Sequence, residues 1–207
     1  MSVKIVVDSA SEFSYEEAKA LGLYFCPLSV SFGDTEYRDS IDIDNKTFYE
    51  MLEESKDLPK TSQVGPFAFQ EAFEEIVENG HTAIAITLSS KLSGTYSSAR
   101  LAAQSFPGKI FLVDSLSATI GEKILILYAL ELTKTIDDPE EIVKRLEEKR
   151  EKIGICYLLD TLEYLHKGGR LSAAQALAGS ILSLKPLCTL TNGDVEVIAK
   201  ARGVKKG

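Results

Sequence analysis

Histidine is scarce in this sequence. His81 and His166 are the only two among 207 residues, and no paired Cys or His-x-x-x-His spacing occurs. A zinc site draws on clustered ligands of those types, so no metal site is expected. Cysteine is scarce as well: Cys26, Cys156 and Cys188 are odd in number, widely separated and set in apolar, strand-like surroundings. They read as buried reduced thiols of a cytoplasmic protein, not as a disulfide framework. Long apolar runs are missing. The most apolar stretch, residues 120–132, is too short to span a membrane and carries Glu122, Lys123 and Glu131. No secretory leader is legible, because the chain passes from Met1-Ser2 straight into a strand pattern. Positive charge is also in deficit, with 23 Lys and Arg against 31 Asp and Glu and a net charge of −8. That excludes a general nucleic-acid surface, and the short basic cluster Lys200, Arg202, Lys205, Lys206 does not reverse it.

Several catalytic and nucleotide signatures are missing too. There is no Gly-x-Ser-x-Gly elbow, no Gly-x-Gly-x-x-Gly and no Gly-x-x-x-x-Gly-Lys. The acidic segment Asp34, Glu36, Asp39, Asp42, Asp44 lacks calcium-loop spacing, its central glycine and its closing glutamate. It reads as a solvated loop over residues 33–44.

What is present is an alternation of strands and helices. Residues 3–7 predict a strand and 15–21 a helix, with 23–32 extended and a short helix near 46–55. Residues 66–78 form an amphipathic pattern with Phe69, Phe73, Ile76 and Val77 on one side. A buried strand at 82–88, a helix at 96–106, a strand at 109–113 and a long helix at 118–135 follow. Three β-turn-α units with polar turns imply a parallel sheet covered by helices, whose ligands bind beyond the carboxyl ends of the strands. The turn Val7-Asp8-Ser9 is repeated at Val113-Asp114-Ser115, which reads as common turn chemistry.

After a charged helix at 137–152 the pattern changes. A strand at 153–159, a short helix at 161–166, the turn Lys167-Gly168-Gly169-Arg170, an apolar helix at 173–184 and a hairpin around Asn192-Gly193-Asp194 suggest a second unit. The expected fold class is therefore α/β: a parallel-sheet domain over residues 1–152, then an α+β domain beginning at 153 and cut short at 207. A lone hairpin strand at the end would expose an edge, so the chain reads as a fragment.

The junction Ser89-Ser90-Lys91-Leu92-Ser93-Gly94-Thr95-Tyr96-Ser97-Ser98 carries most of the chemistry. It lies between a strand and a helix, where unpaired N–H groups and a partial positive charge favour an anion and hydroxyls add neutral donors. Ordinary capping by Ser93 or Thr95 explains the same residues, and both readings stay open here. A second hydroxyl cluster, Lys60-Thr61-Ser62-Gln63, precedes Gly65-Pro66 and reads as a helix boundary that gains meaning from the first. A serine hydrolase fits poorly. His81 precedes the strand and Ser93 follows it, so seven residues at ~3.3 Å hold them roughly 23 Å apart.

Taken together, these segments resemble the DegV family of bacterial fatty-acid-binding proteins. The resemblance is carried by Val6-Val7-Asp8-Ser9, Lys60-Thr61-Ser62-Gln63, Ser89 through Tyr96, and Val113-Asp114-Ser115. It continues through Asp160-Thr161-Leu162-Glu163-Tyr164-Leu165, Lys167-Gly168-Gly169-Arg170 and Leu184-Lys185-Pro186, in order along the whole chain. It implies a lipid-binding protein that takes one long-chain fatty acid into a tunnel between two domains. It further implies a handover to a separate ATP-binding fatty acid kinase that forms the acyl phosphate, with no enzyme activity, cofactor or membrane insertion of its own. Thr61 and Ser93 would hold the carboxylate, with Ser62, Gly94 and Thr95 beside them and Arg170 near the tunnel mouth or the kinase-facing surface. Helices 118–132 and 173–184 are candidates for lining the tail tunnel or for plain core. Val64 stands where the family usually has proline, Lys123 interrupts a usual glycine-rich stretch, and family members run further toward the C-terminus. The alternative function is an enzyme that transfers acyl or phosphoryl groups at the Ser93 junction.

Overall fold

The computed structural model describes residues 2–171 and 185–201. Its strands are β1 (Val3–Asp8), β2 (Tyr24–Cys26), β3 (Ser29–Phe32), β4 (Thr35–Arg38), β5 (Lys60–Ser62), β6 (Thr82–Thr87), β7 (Ile110–Asp114), β8 (Cys156–Leu158), β9 (Lys185–Thr191) and β10 (Asp194–Ala201). Its helices are α1 (Tyr15–Ala20), α2 (Asn45–Glu54), α3 (Pro66–Glu78), α4 (Thr95–Ala103), α5 (Thr119–Leu132), α6 (Pro139–Arg150) and α7 (Glu163–Lys167), with a 3-10 turn at Ser9–Ser11. The fold is α/β.

A parallel sheet of order β2-β1-β6-β7 forms the centre. Strand β6 is buried at all six positions, as expected of a strand covered on both faces. Alternation divides its residues between two core layers. Ile84 and Ile86, with Val3, Ile5 and Val7 of β1, meet Leu125, Ile126 and Ala129 of α5 and Ile142 and Leu146 of α6. Ala83 and Ala85, with Val6, meet Phe69, Phe73 and Ile76 of α3 and Ala99 and Ala102 of α4. Small residues on this second face leave room for the Phe69–Phe73 pair, whose rings stack 5.8 Å apart.

A three-stranded antiparallel sheet, β10-β9-β8, carries a separate small core of Leu162, Leu171, Cys188 and Val195. Its hairpin turns at Asn192 and Gly193, which have φ of 51° and 86° as the mirror-image two-residue turn requires. The helix expected at 173–184 lies outside the described residues.

Some expectations need correction. Residues 35–38, read as part of an acidic loop, form β4, and Lys60–Ser62, read as a helix boundary, forms β5; both pair with β3 in a small antiparallel sheet. Gly33, at φ 59°, opens the two-residue turn between β3 and β4. Neither strand has a buried residue, so neither leaves an apolar alternation to read. Cys156 is a further correction: it is exposed, whereas Cys26 and Cys188 are buried. On β8 its neighbour Tyr157 packs on the small core, and the two-residue period of a strand turns Cys156 outward. Burial pushes the Cys26 thiol up to about 12, which leaves it unreactive.

Candidate functional site

The sheet order puts β1 and β7 on either side of β6, so the two Val-Asp-Ser turns flank the segment that leaves β6. Both aspartates grip it. Asp8 Oδ2 accepts the Leu88 N–H at 2.8 Å and its Oδ1 accepts that of Ala10 at 2.9 Å. Asp114 Oδ1 accepts the N–H groups of Ser90 (3.2 Å) and Leu116 (3.0 Å). The hydroxyls of Ser9 and Ser115 are spent on the Leu28 and Ser117 backbone. The repeat is thus turn chemistry with a purpose: it holds residues 88–90 from both sides.

Downstream, Ser89 accepts the N–H groups of Leu92 and Ser93 on its carbonyl, at 3.0 and 3.1 Å, and α4 begins at Thr95. Gly94 occupies the cap position and supplies no side-chain cap, so capping by Ser93 or Thr95 in the expected sense does not occur. Instead Ser93 Oγ accepts the Thr95 N–H at 3.2 Å and shares a 2.9 Å hydrogen bond with Thr95 Oγ1. Thr95 Oγ1, fully buried, also accepts the Val64 N–H at 3.2 Å. When Thr95 donates its proton to Ser93, Ser93 accepts twice and its own proton points to an outside acceptor. Val64 acquires a role here, since a proline at that position would have no N–H to give Thr95.

The hydroxyl segment on β5 lies directly alongside. Gln63 Nε2 donates to Ser98 Oγ at 2.8 Å, and a Cβ at Gly94 would displace the Gln63 carboxamide from this position. Thr61 pairs with Val30 and Ser62 with Ser29, and both β5 hydroxyl side chains are exposed. The structure therefore brings Gln63 and Val64 against Gly94, Thr95 and Ser98, with Ser62 and Thr61 one and two positions before this contact on the strand that pairs with β3. Gln63, Asp8 and Asp114 lie in motifs the sequence picks out, Asp8 and Asp114 as turn chemistry, but none of the three was an expected site residue.

Arg170 is exposed and reaches the same loop. Its Nε donates to the Leu92 carbonyl at 3.2 Å and its Nη1 to that of Gly168 at 2.6 Å. His81 sits at the opposite end of β6, where its Nδ1 lies 3.0 Å from Ser2 Oγ. Among the described residues no group of three His, Cys, Asp or Glu side chains could hold a metal ion, and no helix is long and apolar enough to cross a membrane. The buried side of α5 (Leu125, Ile126, Ala129) belongs to the core of the parallel sheet, while Ile120, Ile124 and Leu127 are exposed.

Residues 2–207 match the family model described as an uncharacterised protein of the DegV family. The chain belongs to the DegV family. A DegV domain-containing protein of Caldanaerobacter subterraneus subsp. tengcongensis is 38% identical over 205 residues, covering 99% of this chain and 73% of the relative. Among solved structures, the fatty-acid-binding DegV family protein of Thermus thermophilus is similar with a TM-score of 0.91 and 36% identity. The fatty-acid-binding DegV of Bacillus subtilis gives 0.88 and 35%. Each alignment covers 99% of this DegV chain and 73% of the other.

Proposed function

We propose that this DegV protein carries one long-chain fatty acid and presents its carboxylate to a separate ATP-binding fatty acid kinase in the cytoplasm, performing no chemistry itself. The observation that supports the reading is the contact of Gln63 and Val64, directly after the Thr61-Ser62 pair, with Ser98 and Thr95 of the helix that follows β6. Thr61, Ser62 and Ser93 supply hydroxyls, and Gly94 and Thr95 open a helix without a side-chain cap. Taking a carboxylate out of water is costly unless close donors replace the lost hydration, and neutral donors at a helix start do so without a fixed counter-charge. Fatty acids are bound by the related proteins of Thermus thermophilus and Bacillus subtilis, which supports this ligand class. Arg170, exposed and attached to the same loop, is the residue we assign to the kinase-facing rim. In this reading residues 1–152 and 153–207 are separate domains with the acyl tail between them.

Solvent extraction of the gently purified protein, followed by mass spectrometry, tests the proposal. A stoichiometric long-chain acid is expected. Thr61→Ala and Ser93→Ala should each weaken binding about 10- to 150-fold, the loss of one hydrogen bond to a charged group. Unchanged affinity in both variants sinks the assigned site. Turnover of an acyl phosphate by the protein alone, abolished by Ser93→Ala, would replace the carrier reading with the transferase one.

A further inference from the structure

The Asn192-Gly193 turn does more than reverse a hairpin. Gly193 is inserted against the loop that follows β6, where Ser89 Oγ donates to its carbonyl at 2.8 Å across 104 residues of sequence. A Cβ at Gly193 would collide with Ser89 Oγ and lie 3.2 Å from Leu116 Cδ2 and 3.3 Å from Lys91 Cγ. Its φ of 86° also disfavours any side chain, so glycine is needed there on two independent grounds.

Ser89 is fully buried and every polar atom of it is engaged. Its N–H donates to the Ser117 carbonyl at 2.7 Å, its Oγ also accepts the Lys91 N–H at 3.2 Å, and its carbonyl holds the N–H groups of Leu92 and Ser93. Two further contacts bind this loop to the β8–β10 side. Leu92 packs on the small core of Leu162, Leu171, Cys188 and Val195, and its carbonyl accepts from Arg170.

We infer that Ser89 and Gly193 form a clasp through which the β9–β10 hairpin positions Ser93 and Thr95 for the acyl head group. This inference rests on the carrier reading for its ligand but not for its geometry. Ser93 hangs from the Ser89 carbonyl, and Ser89 is anchored by the hairpin tip. Displacing the hairpin therefore displaces the Ser93 donor, and head-group binding requires the hairpin to be docked. Ser89 and Gly193 are positioning residues and need not touch the ligand.

The test uses the full chain, Ser89→Ala, Gly193→Ala and a matched control, Gly80→Ala. Gly80 has a φ of +77° with nothing within 4 Å of an added Cβ, so the control carries the backbone strain without the collision. Two readouts are taken: hydrogen exchange of the Leu92 and Ser93 amides in ligand-free protein, and palmitate affinity by calorimetry. The clasp predicts about tenfold faster exchange of those amides in Gly193→Ala, with β1 and β6 unaffected. It also predicts palmitate binding weakened about fivefold or more. Ser89→Ala, which only deletes an atom, should shift both in the same direction, and it carries the test if Gly193→Ala does not fold. Gly80→Ala should shift neither. Exchange at Leu92 and Ser93 unchanged in Ser89→Ala and Gly193→Ala would overturn the clasp. Accelerated exchange in a protein whose wild type ignores palmitate would uphold the clasp and overturn the carrier reading instead.

Discussion

Glu122 is fully buried on α5, and neither of its carboxylate oxygens finds a hydrogen-bond partner among the described residues. Burial, and then the charges of Asp8 and Asp114, hold its carboxyl well above the ordinary value of 4.5. Asp8 is equally buried but accepts two N–H groups, and its carboxyl is raised by burial from 3.8 to about 7. Both groups keep a proton in the folded chain at pH values where the unfolded chain has lost it. Their contribution is therefore fully present below the unfolded values of 3.8 and 4.5 and declines as pH rises above them, through about 7 for Asp8 and toward the raised value of Glu122. Glu122→Gln keeps the shape and removes the charge. Relative to wild type it should gain stability steadily as pH rises from 5 to 8 in urea unfolding. Parallel stability curves for the two proteins would refute this account. Nothing in the sequence separates Glu122 from a solvated helix charge; its neighbours across β1 and β7 make it unusual, and only the sheet order reveals them.

At the scale of elements, Lys123 shows how a departure in sequence becomes a tie between segments. Its Nζ donates to the Glu12 carbonyl at 2.8 Å, lies 3.7 Å from the Glu17 carboxylate and sits 4.3 Å over the Phe13 ring. It thereby fastens α5 to the connection before α1, where Glu12 takes a φ of 61° and Ser14 and Glu17 form a capping box. Removing the ammonium by Lys123→Ala should cost about 1–2 kcal/mol. Thermal unfolding would then fall by roughly 2–8 °C in a chain of this size. An unshifted midpoint would mean that the side chain merely rests on the surface. Elements with a strong period were legible in advance: α3 begins at Pro66 and ends at Glu78 as its apolar spacing predicts, and β6 loses only Leu88 from the expected strand. Strands β4 and β5 were not, because Thr35–Arg38 and Lys60–Ser62 owe their conformation to pairing with β3 and to no pattern of their own. Thr61 lies in a helix boundary by its spacing but pairs with Val30 on β3, and it is Gln63 and Val64 after it that reach α4, which the two hydroxyl clusters could not disclose by spacing.

For the molecule as a whole, the candidate site is assembled from parts that lie far apart in the chain. Segment 61–64 arrives from the small sheet, Ser93 and Thr95 from the main sheet, and the Gly193 tip and Arg170 from the antiparallel side. The hydroxyl clusters were visible in the sequence, but their juxtaposition is a property of the β2-β1-β6-β7 order and of hairpin docking. A ligand that needs all these parts in place binds the folded state alone, and mass action then turns affinity into stability. Palmitate at 100 times its dissociation constant should stabilise the delipidated protein by about 2.7 kcal/mol, seen as a higher unfolding midpoint. At the same palmitate concentration, a variant that binds tenfold more weakly should gain only about 1.4 kcal/mol, about 1.3 kcal/mol less. Ser93→Ala is expected to show that shortfall while its ligand-free stability stays within about 1 kcal/mol of wild type, since Thr95 keeps the Val64 N–H. Equal palmitate stabilisation of both proteins would place the head group somewhere other than the Ser93 loop. A wild-type midpoint indifferent to palmitate would remove the carrier reading itself.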